Sequence, residues 1–103
     1  MTILEDVRVA AQKRLLFLPH AIRQMSRPQR MIRSDEVEVV VKQGELIEDY
    51  PNDPRGHSCL MLDFGEARRA VHVVCSPKDE YLAIITAYLP DPAQWSEDFR
   101  RRR

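Results

Sequence analysis

Two apolar segments in the C-terminal half decide the fold: Arg69-Ala-Val-His-Val-Val-Cys75 and Tyr81-Leu-Ala-Ile-Ile-Thr-Ala-Tyr-Leu89. They hold most of the β-branched and apolar residues of that half, which is typical of strands. The segment between them, Ser76-Pro-Lys-Asp-Glu80, has the composition of a turn. Strands joined by so short a turn run antiparallel. The pair therefore predicts the centre of an antiparallel sheet.

Two further strands are predicted before this pair, over Glu45–Tyr50 and His57–Phe64. The first ends at Pro51-Asn-Asp-Pro54, and the second ends at the loop Gly65-Glu-Ala-Arg68. All the connections are short, so sequential strands are expected to be antiparallel neighbours. The four segments together predict a β-meander.

The N-terminal segment predicts a helix followed by extended chain. Thr2-Ile-Leu-Glu5 has the form of a capping box, which indicates a first helix over residues 2–13. Leu15-Leu-Phe-Leu18 is apolar and directly precedes Pro19. This segment fits either a strand or the end of the first helix, and the proline favours an extended conformation.

Two more helices are predicted before the strands begin. Pro19 suits the first turn of a helix that runs from His20 to about Arg27. Ser34 is expected to be the N-cap of a third helix, whose first turn carries acidic residues, and Gly44 closes it.

These elements predict one α+β domain over residues 1–103, in which N-terminal helices pack on one face of a four-stranded, mostly antiparallel, curved sheet. Residues 96–103 are expected to form a frayed tail. The chain is 44% hydrophobic and 31% charged, which is typical of a folded soluble domain. It contains no apolar run of membrane-spanning length and no signal peptide, so no membrane association and a cytoplasmic location are expected.

The net charge of zero hides a strong segregation of charge. Residues 1–33 carry a net charge of +5, residues 34–66 carry −7 and residues 67–103 carry +2. Such asymmetry is typical of a basic face that binds RNA or an acidic partner. It is equally typical of segments of opposite charge that neutralise each other across the fold.

His57, Cys59, His72 and Cys75 are side chains of the types that bind zinc. Side chains alternate between the faces of a strand, so His72 and Cys75, an odd number of positions apart, are expected on opposite faces. The four side chains then do not converge, and no metal site is predicted. Both cysteines lie in apolar strand sequence, which also argues against a nucleophilic cysteine.

His20, Arg23 and Arg27 follow one another at helical spacing, with Arg30 and Arg33 beyond them. Arginine binds phosphate bidentately, and histidine transfers protons near neutral pH. This stripe is either a functional surface or the solvated face of a helix. On the sheet, His72 and Tyr88 either line a shallow cleft or are core residues with one hydrogen bond each.

The chain resembles the small bacterial family called domain of unknown function 4258 over about residues 17–101. The resemblance rests on the order and spacing of five segments: His20-Ala-Ile-Arg-Gln-Met25, Ser34-Asp-Glu-Val37, Gly44-Glu-Leu-Ile-Glu-Asp-Tyr-Pro51, Val71-His-Val-Val74 and Ile84-Ile-Thr-Ala-Tyr-Leu-Pro-Asp-Pro92-Ala-Gln-Trp95. Gln24 stands where the family usually has arginine, and the helix over residues 2–13 is an addition that the family does not require.

This resemblance implies a fold similar to that of the RelE/ParE/BrnT toxins. It implies an RNA-cleaving toxin of a toxin-antitoxin pair, with RNA or the ribosome as target and an antitoxin-like protein as partner. The alternative is a non-catalytic protein–protein interaction module of the same fold. No cofactor or metal is expected. The candidate catalytic residues are His20, Arg23, His72 and Tyr88, and the candidate RNA-binding residues are Arg27, Arg30 and Arg33.

Overall fold

The structure, a computed structural model, describes residues 2–103. These residues form three α-helices, one 3₁₀ turn and five strands: α1 (Ile3–Lys13), β1 (Leu15–Phe17), α2 (Pro19–Met25), α3 (Ser34–Gln43), β2 (Glu45–Tyr50), β3 (Ser58–Phe64), the 3₁₀ turn Glu66–Arg68, β4 (Ala70–Pro77) and β5 (Leu82–Tyr88). The predicted α+β class is confirmed.

The sheet has the strand order β1-β5-β4-β3-β2 and is mixed. Strands β2 to β5 form the predicted antiparallel meander, but β1 adds a fifth strand that pairs in parallel with β5. The predicted count of four strands is therefore wrong. The strand absent from the prediction is Leu15–Phe17, which has the extended conformation that Pro19 favours. Its partner Leu82–Ile84 is distant in sequence, so no local sequence signal reveals the pairing.

Helix α1 begins with the predicted capping box. The backbone N–H of Glu5 donates to Thr2 Oγ1 at 3.1 Å, and the backbone N–H of Thr2 donates to Glu5 Oε1 at 3.2 Å. The helix buries one apolar stripe, Ile3, Val7, Ala10 and Ala11. On its polar side, the Arg8 guanidinium donates to the backbone carbonyls of Lys42 and Gly44, which ties α1 to the C-terminus of α3.

The N-terminus of α3 differs in detail from the prediction. Ser34 is the first helical residue, and the N-cap is Arg33. The Glu36 carboxylate reaches back and accepts the backbone N–H of Arg33 at 3.1 Å, so the cap interaction comes from a carboxylate inside the helix. The same carboxylate, only 4% exposed, also accepts from the backbone N–H of Glu66 and from Arg69 Nη2, both at 2.9 Å.

One face of the sheet packs against all three helices. Side chains of α1, α2 and α3 form a single buried cluster with alternate residues of the strands, among them Met61, Val71, Val73 and Cys75. Because side chains alternate along a strand, Leu60, Leu62 and His72 point to the opposite face. They are also fully buried or nearly so, at 2% exposure or less. The middle strand β4 is therefore covered on both faces.

The second face lies under the C-terminal residues 90–103, which we call the tail. We call this face the tail face; it carries Glu45, Glu48, Leu60, Leu62, His72 and Tyr88. The residues expected to fray, 96–103, lie against the sheet: Trp95 packs on His72, and Arg100 and Arg102 pair with carboxylates of β2.

Gly44 joins α3 to β2 at a point of close approach. A Cβ atom there would overlap the carbonyl oxygen of Val40 and would lie 2.6 Å from that of Leu62. Both obstacles are backbone atoms, so Gly44→Ala is expected to destabilise the fold by about 1–3 kcal/mol. Urea unfolding measures this change. Gln43→Ala, at an exposed neighbouring position, is the control and should change the stability by less than about 0.5 kcal/mol; equal effects of the two variants would contradict the prediction.

Candidate functional site

His72 lies at the centre of the tail face. In the sheet it pairs with Leu62 of β3 and with Tyr88 of β5, and this register brings two predicted site residues together. The His72 Nδ1 atom lies 3.3 Å from Tyr88 Oη, and the two rings meet edge to face at 5.4 Å. The Trp95 ring of the tail covers His72 edge to face at 4.5 Å.

The hydrogen bonds define the protonation state of His72. Its Nε2 lies 3.0 Å from the carbonyl oxygen of Phe99, which can only accept, so Nε2 carries the proton. In the neutral ring, which burial favours, Nδ1 then accepts from the Tyr88 hydroxyl. Burial lowers the pKa of His72 and raises the pKa of Tyr88. Both groups are therefore neutral at pH 7, and both nitrogens of the imidazole are occupied.

Phe99 adopts a backbone conformation that turns its carbonyl group towards His72. Its φ of +62° is in the left-handed region, which is rare for an aromatic residue. Such a conformation costs on the order of 1–3 kcal/mol and persists only where its surroundings enforce it. The Phe99 carbonyl accepts a hydrogen bond from buried His72, and this hydrogen bond offsets the conformational cost.

Two arginine–glutamate pairs hold the rest of the tail. Arg100 donates through Nε and Nη2 to both oxygens of Glu45, each at 2.8 Å. Arg102 donates in the same bidentate manner to Glu48 at 2.9 and 3.1 Å, and its guanidinium carbon lies 4.6 Å from the centroid of the Trp95 ring. These hydrogen bonds lower the pKa of each glutamate. The tail is thus held by two charge pairs with the edge strand β2, in addition to the contact of Trp95 with His72.

A β-bulge makes the double pairing feasible. Glu45 and Glu48 are three residues apart and would face opposite ways in a regular strand. The register of β2 shifts between Leu46 and Glu48, so Glu45 pairs with Leu62 and Glu48 pairs with Leu60, on the same face. Tyr50 donates to Glu48 from that face, and burial together with this carboxylate raises the pKa of Tyr50 to about 12.

Helix α2 places the other two candidate catalytic residues elsewhere. Ala21 and Met25 anchor the helix in the core on the face opposite to the tail face. His20 and Arg23 are exposed. Among residues 2–103, no hydrogen bond or ring contact joins them to His72 or Tyr88. The four candidates therefore form two separate groups.

Two of the three candidate RNA-binding arginines have internal partners. Arg30 donates through Nη1 to Gln24 Oε1 at 2.7 Å, and Arg33 pairs with Asp35 at 3.0 Å and Glu66 at 2.9 Å. Gln24, the residue that departs from the family pattern, is therefore a partner of Arg30. Arg27 is exposed beyond the C-terminus of α2.

The cysteine and histidine side chains do not form a metal site. Cys59 and Cys75 are buried free thiols in the core beneath the helices, with their sulfur atoms 3.9 Å apart. His72 points to the tail face and His57 contacts Asp49. Within the described part of the chain, no group of three or more histidine, cysteine or carboxylate residues is placed to hold a metal ion.

The residues that the sequence reasoning missed are those of the tail and their partners, Trp95, Arg100, Arg102, Glu45 and Glu48. The available signal was the charge segregation, because an acidic middle segment precedes an arginine-rich end. That signal predicts attraction between the segments, but it does not specify which carboxylate pairs with which arginine.

Comparison with known proteins identifies the family. The chain matches the family described as "Domain of unknown function (DUF4258)" over residues 17–89, which is more than half of its length. The chain belongs to this family. Searches of curated proteins and of solved structures returned no significant match. The matched region ends after β5, so α1 and the tail lie outside it.

None of the helices within residues 2–103 has the length and apolar character needed to cross a membrane.

The low pKa of His72 predicts a pH-dependent stability. Because the pKa in the folded chain lies below the ordinary value of about 6.5, the unfolded chain binds more protons as the pH falls below that value. The free energy of unfolding is therefore expected to fall between pH 7 and pH 5, before most carboxylates titrate. Urea unfolding of His72→Gln should show a flatter pH dependence. The control His20→Gln, at an exposed position, should keep the wild-type slope; a wild-type slope in His72→Gln would contradict this assignment.

Proposed function

We propose that the protein is a non-catalytic protein–protein interaction module whose helix α2 binds an acidic surface of its partner. The observation that supports this is the state of three basic side chains, His20, Arg23 and Arg27. All three are exposed, and within residues 2–103 none of these side chains has a hydrogen-bond or ion-pair partner. Basic groups that the fold leaves uncompensated can attract and orient an acidic partner.

The apolar content of this surface favours a protein over RNA as the partner. Ile22 lies on the exposed side of α2 and is 52% exposed. An exposed apolar side chain among basic residues resembles a small protein-binding surface. Recognition of single-stranded RNA uses aromatic rings and guanidinium groups that stack on bases. On α2 only His20 and Arg23 are of these types, and the helix has no Phe, Tyr or Trp.

The geometry of the histidines argues against general acid–base catalysis. A catalytic base needs a free nitrogen within reach of its substrate. In His72 both nitrogens are hydrogen-bonded and the side chain is fully buried. His20 is accessible, but it lies on the other side of the sheet from His72 and Tyr88. A cytoplasmic location is consistent with the module, since Cys59 and Cys75 are free thiols.

The second candidate is an RNA-cleaving toxin with a RelE/ParE/BrnT-like fold. The exposure of His20 next to Arg23 favours it, because a proton-transfer group and a phosphate-binding group then share a surface. An antitoxin-like partner would also fit the binding surface on α2. The two candidates differ in whether the isolated chain cleaves RNA.

The module predicts that the purified chain does not cleave RNA and that its induced expression does not slow growth. The measurement compares wild type with His20→Ala and Arg23→Ala, using a structured RNA and ribosome-bound mRNA as substrates. We expect all three proteins to leave both substrates intact over hours. Cleavage by wild type that both substitutions reduce at least tenfold would refute the module and establish the toxin.

Reversing the charge of Arg23 on α2 and of Arg27 just beyond its C-terminus is expected to weaken partner binding. Arg23→Glu/Arg27→Glu should retain at least tenfold less of an acidic protein partner than wild type in a pull-down from the native cell, because each reversal turns attraction into repulsion. Both residues are exposed, so the variant should unfold at nearly the wild-type urea concentration.

The matched control is Arg101→Glu/Arg103→Glu, which makes the same change of net charge in the tail. It should retain the partner as wild type does. Retention of the same partner by the α2 variant would overturn the role of this helix. Recovery of RNA or ribosomal particles in place of a protein would favour the second candidate.

A further inference from the structure

The tail is a self-contained loop. Its backbone hydrogen bonds connect tail residues with one another: Gln94 and Trp95 donate to Asp91, Ser96 to Arg101, Phe99 to Ser96, and Arg103 to Gln94. In the described chain, no backbone-to-backbone hydrogen bond joins residues 90–103 to a strand. The tail is therefore seated on the sheet as a separate ligand would be, by side chains and by one carbonyl group.

Four contacts seat the tail on the tail face, and the hydrogen bond from His72 Nε2 to the Phe99 carbonyl is one of them. Trp95 inserts against the buried ring of His72. Arg100 and Arg102 form bidentate pairs with Glu45 and Glu48. A buried aromatic ring beside more exposed charge pairs is the arrangement of a protein–protein hot spot.

The two ion pairs that hold the tail are largely exposed to solvent, whereas Trp95 and His72 are buried at 3% exposure or less. The side chains of Arg100 and Arg102 are 41% and 60% exposed, and that of Glu45 is 51% exposed. Ion pairs at this exposure are weak and are screened by salt. Phe99 also holds a strained φ of +62° while the tail is seated. Release of the tail therefore breaks weak ion pairs and relieves backbone strain, but it uncovers Trp95 and His72. An incoming segment can displace the tail only if it supplies an aromatic ring to cover His72.

We propose that the tail face is a docking groove for a segment of another protein. This segment is rich in arginine and has an aromatic residue near its arginines. The tail occupies the groove as an internal ligand that the segment displaces. Charge complementarity supports this occupant. The β2 bulge places Glu45 and Glu48 on one face, where they bind two guanidinium groups. The surface over His72 binds an aromatic ring. This proposal does not depend on the function proposed for α2, which lies on the opposite side of the sheet.

The test uses full-length chains and a fluorescein-labelled peptide that copies residues 90–103. In the chain Arg100→Glu/Arg102→Glu, the tail is repelled by Glu45 and Glu48 and the groove becomes available. Fluorescence anisotropy should show that the peptide binds this chain at least tenfold more tightly than wild type, whose own tail competes at high effective concentration. The control Arg101→Glu/Arg103→Glu makes the same charge change outside the two pairs and should bind as weakly as wild type.

A charge-reversal experiment checks that binding uses these pairs. The chain Glu45→Lys/Glu48→Lys should not bind the peptide, and a peptide with Arg100→Glu and Arg102→Glu should restore binding to that chain. The Trp95→Ala chain provides a second test, because Trp95 is the single tryptophan of the sequence. A shift of tryptophan emission on adding the peptide then reports burial of the peptide ring alone.

Three results would overturn the proposal. The first is that neither the Arg100→Glu/Arg102→Glu chain nor the Trp95→Ala chain binds the peptide, although both have wild-type circular dichroism spectra. The second is that the peptide binds the glutamate-to-lysine chain as well as it binds the arginine variant. The third is that light scattering shows wild-type dimers that the arginine reversal dissolves, which would make the tail of a second copy the occupant.

Discussion

The middle strand, β4, must be covered on both of its faces, and the rest of the structure follows from this requirement. Val71, Val73 and Cys75 point to the helices, while His72 points to the tail face, and all four are fully buried. A half-exposed sheet needs only one layer of helices. The apolar second face of this sheet needs a second layer, and the tail, with Trp95 at its centre, supplies it.

A buried carboxylate joins the helical layer to the same strand. Glu36 binds the backbone of Arg33, the backbone of Glu66 and the side chain of Arg69, so one group connects the start of α3 to the turn before β4. Burial alone would raise the pKa of Glu36, but these hydrogen bonds outweigh it and lower the pKa. Arg69 also donates to the backbone carbonyls of Arg30 and Met31, which fixes the connector after α2.

Local sequence signals predicted most helices and strands, but they contain no information on which distant strands pair. The capping box of Thr2 and the turns after Tyr50 and Phe64 are contained in a few residues, so they located α1 and the strands of the meander. Strand β1 has three residues and a distant parallel partner. The β2 bulge reverses the period-two assignment of Glu48. His72 and Tyr88 were predicted from their residue types and their places in apolar strands. Their glutamate neighbours were not predicted, because their position depends on this bulge and on strand register.

The chain has no net charge because it contains 16 basic and 16 acidic side chains, and several of them pair between segments of opposite charge. Residues 34–66 carry a net charge of −7, and Arg33, Arg69, Arg100 and Arg102 from the flanking segments pair with glutamates of this middle segment. His20 and Arg23 on α2, and Arg27 just beyond it, are exposed. Displacing the tail would free Glu45 and Glu48 on the other side of the sheet. A chain with no net charge would then present a basic helix and an acidic groove on opposite faces, each suited to a partner of opposite charge.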